Sequence, residues 1–221
     1  MGSDFEFPYR YFATLYRPPA KCVYVEGNVA AGKTTFILEM KRCLEEKGKR
    51  VYVFVDQTER WTHQRILSGA RSGTETGCRA FHTLGPLRDF VDRQRFVNEY
   101  EAKYDYIIME QHPRTTLNVF GASLDDATRE LFETIHAAYA FMDNPKTTVH
   151  VNVSPKECYG RLCRRVREGE QDMNLFYIQS IEKRLLLEIR ARINSGLRVI
   201  EVSGENITPR KLAEDVCDRI M

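Results

Sequence analysis

KCVYVEGNVAAGKTT, residues 21–35, is the stretch on which the reading of this chain turns. Lys21–Glu26 is a short run with Val23, Tyr24 and Val25 at its centre, the pattern of a buried strand. Gly27-Asn28-Val29-Ala30-Ala31-Gly32-Lys33-Thr34 then fits G-x-x-x-x-G-K-[ST], with Thr35 directly after it. Glycines let the backbone bend so that successive N–H groups converge on phosphate oxygens, and the start of the next helix adds positive potential. Lys33 is expected to reach the β- and γ-phosphates of ATP, and the Thr34 hydroxyl to ligate Mg²⁺. The helix is predicted over Lys33–Glu46, with Phe36, Met40, Cys43 and Leu44 on one face and Gly48 as its stop. Such a cradle specifies a nucleotide and not a reaction.

Outward from this motif, strands are expected at Val51–Val55, Tyr104–Met109, Thr147–Val153 and Leu197–Val202. Ser123 and Asp126 make a capping-box start for a helix with Leu124, Leu131, Ile135, Ala138 and Met142 at helical spacing. Strand and helix alternate, which implies an α/β, P-loop NTPase-type three-layer fold: a five-stranded parallel sheet flanked by helices. Residues 57–103 hold no convincing strand and read as a helical insertion that grips a second substrate. Residues 1–19 read as an N-terminal extension of one domain spanning 1–221.

The bulk properties agree with one compact domain. A chain of 221 residues, 43% hydrophobic, suits one α/β domain. A net charge of +2 provides no global basic field for nucleic acid. No apolar run approaches the ~18–20 residues that span a bilayer. Met1–Pro19 carries Asp4 and Glu6 and lacks the layout of a secretory or transit signal. The six cysteines, Cys22, Cys43, Cys78, Cys158, Cys163 and Cys217, include no C-x-x-C pair, so they read as buried free thiols in a reducing, cytoplasmic compartment. The five histidines are scattered without metal-like spacing.

Ser154–Leu175 reads SPKECYGRLCRRVREGEQDMNL. Arg161, Arg164 and Arg165 fall near a helix end with Arg167 beyond, and Glu168 and Glu170 bracket Gly169. By themselves these arginines are either a solvated helix face or a lid over 161–173. Combined with the cradle upstream, they read as a lid whose planar cations meet phosphoryl oxygens. From Cys22 to Met221 the chain resembles the deoxynucleoside kinases, including herpesviral thymidine kinases. EGNVAAGKTTF (26–36) is similar to the cellular form of the family's P-loop, and RLCRRVREGE (161–170) to the viral form of its lid. Asp56-Gln57-Thr58-Glu59-Arg60-Trp61 resembles the family's Glu-Pro-x-x-x-Trp, and Glu110-Gln111-His112-Pro113 its Glu-Arg-Ser or Asp-Arg-His-Pro element.

From the residues alone, Asp56 is a helix cap or a base at a strand end, Glu110 a cap or an acid facing Mg²⁺, and Trp61 an ordinary core aromatic. The resemblance implies that Asp56 is the general base toward a 5′-hydroxyl and that Trp61 walls the base pocket. It implies that Glu170 holds the sugar 3′-hydroxyl, that Arg161 and Arg165 clamp phosphates, and that Arg167 lies near Asp56. The implied acceptor is a deoxynucleoside, thymidine or another pyrimidine first, and the implied assembly a homodimer, through the helices around Phe132–Met142.

The sequence also departs from the family. Gln111 stands where the family has Arg, and Arg114, one turn along, is the residue that could supply the cation. His82, in Phe81-His82-Thr83, stands at the base-reading Gln, and is either a base ligand or an ordinary histidine. The family's tyrosine for the 3′-hydroxyl has no counterpart between Trp61 and Phe81. Two other readings remain. One is a thymidylate-type nucleoside monophosphate kinase using Arg71, Arg79, Arg88 or Arg114; the other is a non-catalytic nucleotide-binding subunit of the same fold. Ser203–Ile207, after the fifth strand, is expected to approach the adenine.

Overall fold

The structure, a computed structural model, describes residues 22–55, 93, 103–112, 115–120, 130, 134, 147–165 and 173–221. Five strands form one sheet: β1 (Cys22–Glu26), β2 (Val51–Phe54), β3 (Tyr106–Glu110), β4 (Thr147–Asn152) and β5 (Val199–Ser203). Their order is β2-β3-β1-β4-β5 and every neighbouring pair is parallel. β1 takes the centre, where both faces are covered, and all five of its residues are buried. Helices α1 (Lys33–Glu46), α2 (Pro155–Arg164), α3 (Leu175–Asn194) and α4 (Pro209–Ile220) flank the sheet, and a short π-helical turn covers Thr116–Phe120. The expected α/β architecture and five-stranded parallel sheet are present.

Two strand starts differ from expectation, each for a local reason. Arg50 donates from its backbone and its guanidinium to the Asp105 carboxylate, which turns the chain before β3 enters at Tyr106. Leu197 donates its N–H to Arg192 O behind Gly196 at φ 76°, so it still closes the end of α3 and β5 begins two residues later. β3 also runs on to Glu110, which pairs with Val25.

Alternation along the strands separates two faces. Val23, Val25, Val51, Ile108, Val149, Val151, Ile200 and Val202 pack with Phe36, Ile37, Met40 and Leu44 of α1 and Leu212, Ala213 and Val216 of α4. On the other face the residues between them, Tyr24, Glu26, Thr148 and His150, are also buried, and α3 with the 116–120 turn adds Val119, Ile181, Leu185 and Ile189. This face carries ions. Glu26, fully buried, accepts on Oε1 from Arg192 Nη1 at 3.1 Å, Thr115 Oγ1 at 2.8 Å and the His112 N–H at 3.0 Å. Arg192 also donates to Thr115 and Thr148, and through Nε to Glu188, whose other oxygen accepts from Asn118.

Cys22, Cys43, Cys158 and Cys217 are buried free thiols, as expected, but Cys163 is exposed. It follows Leu162, whose side chain takes the core-facing position on α2. Burial pushes the Cys158 thiol up to about 11 and the Cys217 thiol up to about 12. Among the described residues no helix is long and apolar enough to cross a membrane. The helix expected after Ser123 and the helices around Phe132–Met142 lie outside the described residues, apart from Glu130 and Thr134.

Candidate active site

Residues 27–34 leave β1 and wind into α1 at the carboxyl edge of the sheet, where ligands of parallel sheets collect. A Cβ on Gly27 would lie 3.0 Å from Val151 O and 3.3 Å from Ala31 Cβ, so the loop seats directly on β4. Ala30 at φ 59° and Gly32 at φ 92° curl the following backbone. Only glycine takes the second angle at little cost. The caps show what this start is for. Ser154, Asn174 and Thr208 cap α2, α3 and α4 by accepting from Glu157, Tyr177 and Lys211 N–H. α1 starts at Gly32 with no side-chain cap and no acid in its first turn. Its leading N–H groups are thereby left for an anion.

Lys33 lies over the loop and donates from Nζ to Gly27 O and Asn28 O, each at 3.1 Å. Asn28 turns its side chain to α3: its Oδ1 accepts from Val29 N, and its Nδ2 donates to Ile178 O at 3.0 Å and Glu182 Oε2 at 2.9 Å. It is a strut of the loop, a role the motif does not reveal. Val29 is half-buried and Thr35 exposed.

Thr34 and Glu110 come together. The Thr34 hydroxyl lies 2.9 Å from Glu110 Oε2 and 3.2 Å from Oε1, and Glu110 is buried. Two hard oxygens at an uncapped helix start fit Mg²⁺, which takes one or two protein oxygens and completes its octahedron with phosphates and water.

The chain turns sharply after Glu110. Gln111 adopts φ 57°, donates its N–H to Val25 O at 2.9 Å and is half-buried. Arg93, buried within the expected insertion, donates to Glu110 O at 2.9 Å and Gln111 O at 2.8 Å. Sequence reasoning missed Arg93, because no spacing rule links position 93 to the backbone of a strand end 17 residues on. The ring of His112 packs edge-on to Tyr24, with centroids 4.5 Å apart.

Arg161 extends from α2 and places its whole fork. Nε donates to Glu157 at 2.8 Å, Nη1 to Ala31 O at 3.1 Å and Nη2 to Gly204 O at 2.9 Å. It ties the phosphate loop to the turn after β5. That turn is tight: a Cβ on Gly204 would meet Val153 Cγ2 at 2.6 Å and Val151 Cγ1 at 2.9 Å. Glu205 accepts from the Ser154 N–H, and its hydrogen bonds with Ser154 hold the carboxyl below its usual range. Arg164 pairs with Glu157 on the surface, and Arg165 closes α2 with its N–H on Arg161 O. Asp56, Trp61, His82, Arg114, Arg167 and Glu170, together with Arg71, Arg79 and Arg88, lie outside the described residues.

A family model for deoxynucleoside kinases matches residues 23–221. Among solved structures the chain is similar to a deoxyadenosine kinase from M. mycoides with products dCMP and a flexible dCDP bound. The TM-score is 0.70 at 13% identity, covering 90% of this chain and 98% of that one. It is also similar to a deoxyadenosine kinase from M. mycoides with bound dATP, at TM-score 0.65, 14% identity and the same coverage of 90% and 98%. No curated protein sequence matches the chain.

Proposed function

The chain belongs to the deoxynucleoside kinase family and is a nucleoside-phosphorylating enzyme, and from that premise we propose that it transfers the γ-phosphoryl group of ATP to the 5′-hydroxyl of a pyrimidine deoxynucleoside, thymidine first. The observation that carries this reading is the 2.9 Å contact between Thr34 and Glu110. It joins the phosphate cradle to the carboxyl end of β3, where an acceptor enters.

The amides of residues 27–34 and the uncapped start of α1 hold the β- and γ-phosphates. Two of the three protons on Lys33 Nζ are engaged by Gly27 O and Asn28 O, which leaves the third to turn toward phosphate. Mg²⁺, when bound at Thr34 and Glu110, neutralises charge on the β- and γ-oxygens. The 5′-oxygen attacks the γ-phosphorus, the bond to the β–γ bridging oxygen breaks, and ADP leaves with that electron pair. Asp56 takes the hydroxyl proton. Arg165 and Arg167 meet the spreading negative charge, while Arg161 keeps the loop and the Gly204 turn together. Glu170 holds the sugar 3′-hydroxyl, and Trp61, His82 and Gln111 line the base pocket.

The pyrimidine preference rests on the family resemblance; a neutral imidazole at His82 would meet a base edge with one donor and one acceptor, set wider apart than those of the family's Gln. The fold neighbour holding dCMP as product supports room for a pyrimidine in this architecture. Family membership favours a nucleoside over a nucleoside monophosphate as acceptor. It also favours a homodimer.

The test is turnover of ATP and Mg²⁺ with each deoxynucleoside and with thymidine monophosphate. Thymidine or deoxycytidine should give the 5′-monophosphate fastest, and Asp56→Ala should slow it about 10²–10⁴-fold with ATP still bound. Absence of product with every nucleoside, or an unaffected Asp56→Ala, overturns the reaction; faster turnover of the monophosphate moves the acceptor class.

A further inference from the structure

We propose that Arg93 is a positioning residue for phosphoryl transfer, fixing through the backbone carbonyls of Glu110 and Gln111 the direction of the Glu110 carboxylate. This rests on the reading that Glu110 faces Mg²⁺. Burying a guanidinium is unfavourable unless donors on it are met. Arg93 is 6% exposed and spends two N–H groups on consecutive carbonyls, Glu110 O and Gln111 O. Those carbonyls belong to the residue whose carboxylate meets Thr34 and to a residue strained at φ 57°. A non-glycine residue there is strained and persists only when its surroundings over-determine it.

Three contacts do so. Val25 O accepts from the Gln111 N–H, Glu26 accepts from the His112 N–H, and the Arg93 fork holds both carbonyls. The direction in which Glu110 leaves β3 is set by this clamp. Two carbonyls in a row need a planar fork. A lysine at the same place keeps the charge but reaches one of them at a time.

The test compares Arg93→Lys, Arg93→Ala and Glu110→Gln with the wild type. Binding of the β,γ-imido analogue of ATP is titrated calorimetrically with and without Mg²⁺, alongside kcat and the KM for nucleoside. Arg93→Lys should leave affinity without Mg²⁺ unchanged, shrink its tightening by Mg²⁺ about tenfold, and lower kcat about 10–100-fold with the nucleoside KM held. Free guanidinium should restore part of both in Arg93→Ala. Should that variant not fold, Arg93→Lys decides alone. Arg93→Lys with wild-type Mg²⁺ coupling, while Glu110→Gln loses it, overturns the role of Arg93 only. Glu110→Gln with intact coupling removes the metal reading and the Arg93 proposal with it.

Discussion

Toward α1 and α4 the sheet shows Val23, Val25, Ile108, Val149 and Val151; toward α3 the same strands show Glu26, Thr148 and His150. Both sets of residues are buried, the first by apolar packing alone and the second by an ion network beside the apolar cluster of Val119, Ile181, Leu185 and Ile189. On the first face each side chain contributes through contact area, so a loss at one place stays local. On the second, Glu26 is served by Arg192, Thr115 and the His112 N–H at once, and loss of one partner strands the others. Glu26 is also bonded to Gly27. The ionic face therefore fixes the spot from which the phosphate loop departs, and the apolar face supports the helix on which it lands.

The most damaging way to probe this contrast is Arg192→Met, which leaves the Glu26 carboxylate buried and unpaired and should cost about 3–5 kcal/mol in urea unfolding. Removing all the charge, with Glu26→Gln, Glu188→Gln and Arg192→Met together, should cost less than that single change. A single variant within about 1 kcal/mol of wild type breaks the comparison. On the apolar face Ile37→Val should cost only about 0.5–1.5 kcal/mol, with kcat unchanged.

The gentlest probe is alkali. Cys158 and Cys217, both on the apolar face, have thiols raised by burial to about 11 and about 12. Each keeps its full stabilising share below the ordinary thiol range near ~8.5 and loses it as pH climbs from there toward the folded value. From pH 8 to 9 the loss should be about 0.7 kcal/mol per thiol, and Cys217→Ala should flatten that slope in thermal unfolding. An unchanged slope places the alkaline response elsewhere.

The apolar face was largely legible in advance. Its residues recur at the periods of strand and helix, and Phe36, Met40, Cys43 and Leu44 were expected on the inner side of α1, where they lie. Thr34 and Glu110 were legible because a motif marks the first and a strand end the second. The ionic face was not. Arg192 meets Glu26 across 166 residues of chain, and a charged residue near a helix end reads as solvated until the sheet is built. Asn28 and Arg161 were legible as members of their motifs, but their partners Glu182 and Gly204 were not, because a motif records which residues recur and not what they lean on.

The strand order also sets a timetable for synthesis. β1 reaches the ribosome exit first among the strands, yet its neighbours are β3 and β4, and α1 is covered by α4 at the far end of the described chain. The central strand thus waits for β4, and α1 for α4, before either is covered, and unpaired apolar segments stick to one another in that interval. Slowing translation between β1 and α4 should lengthen that interval and raise the dependence on chaperones.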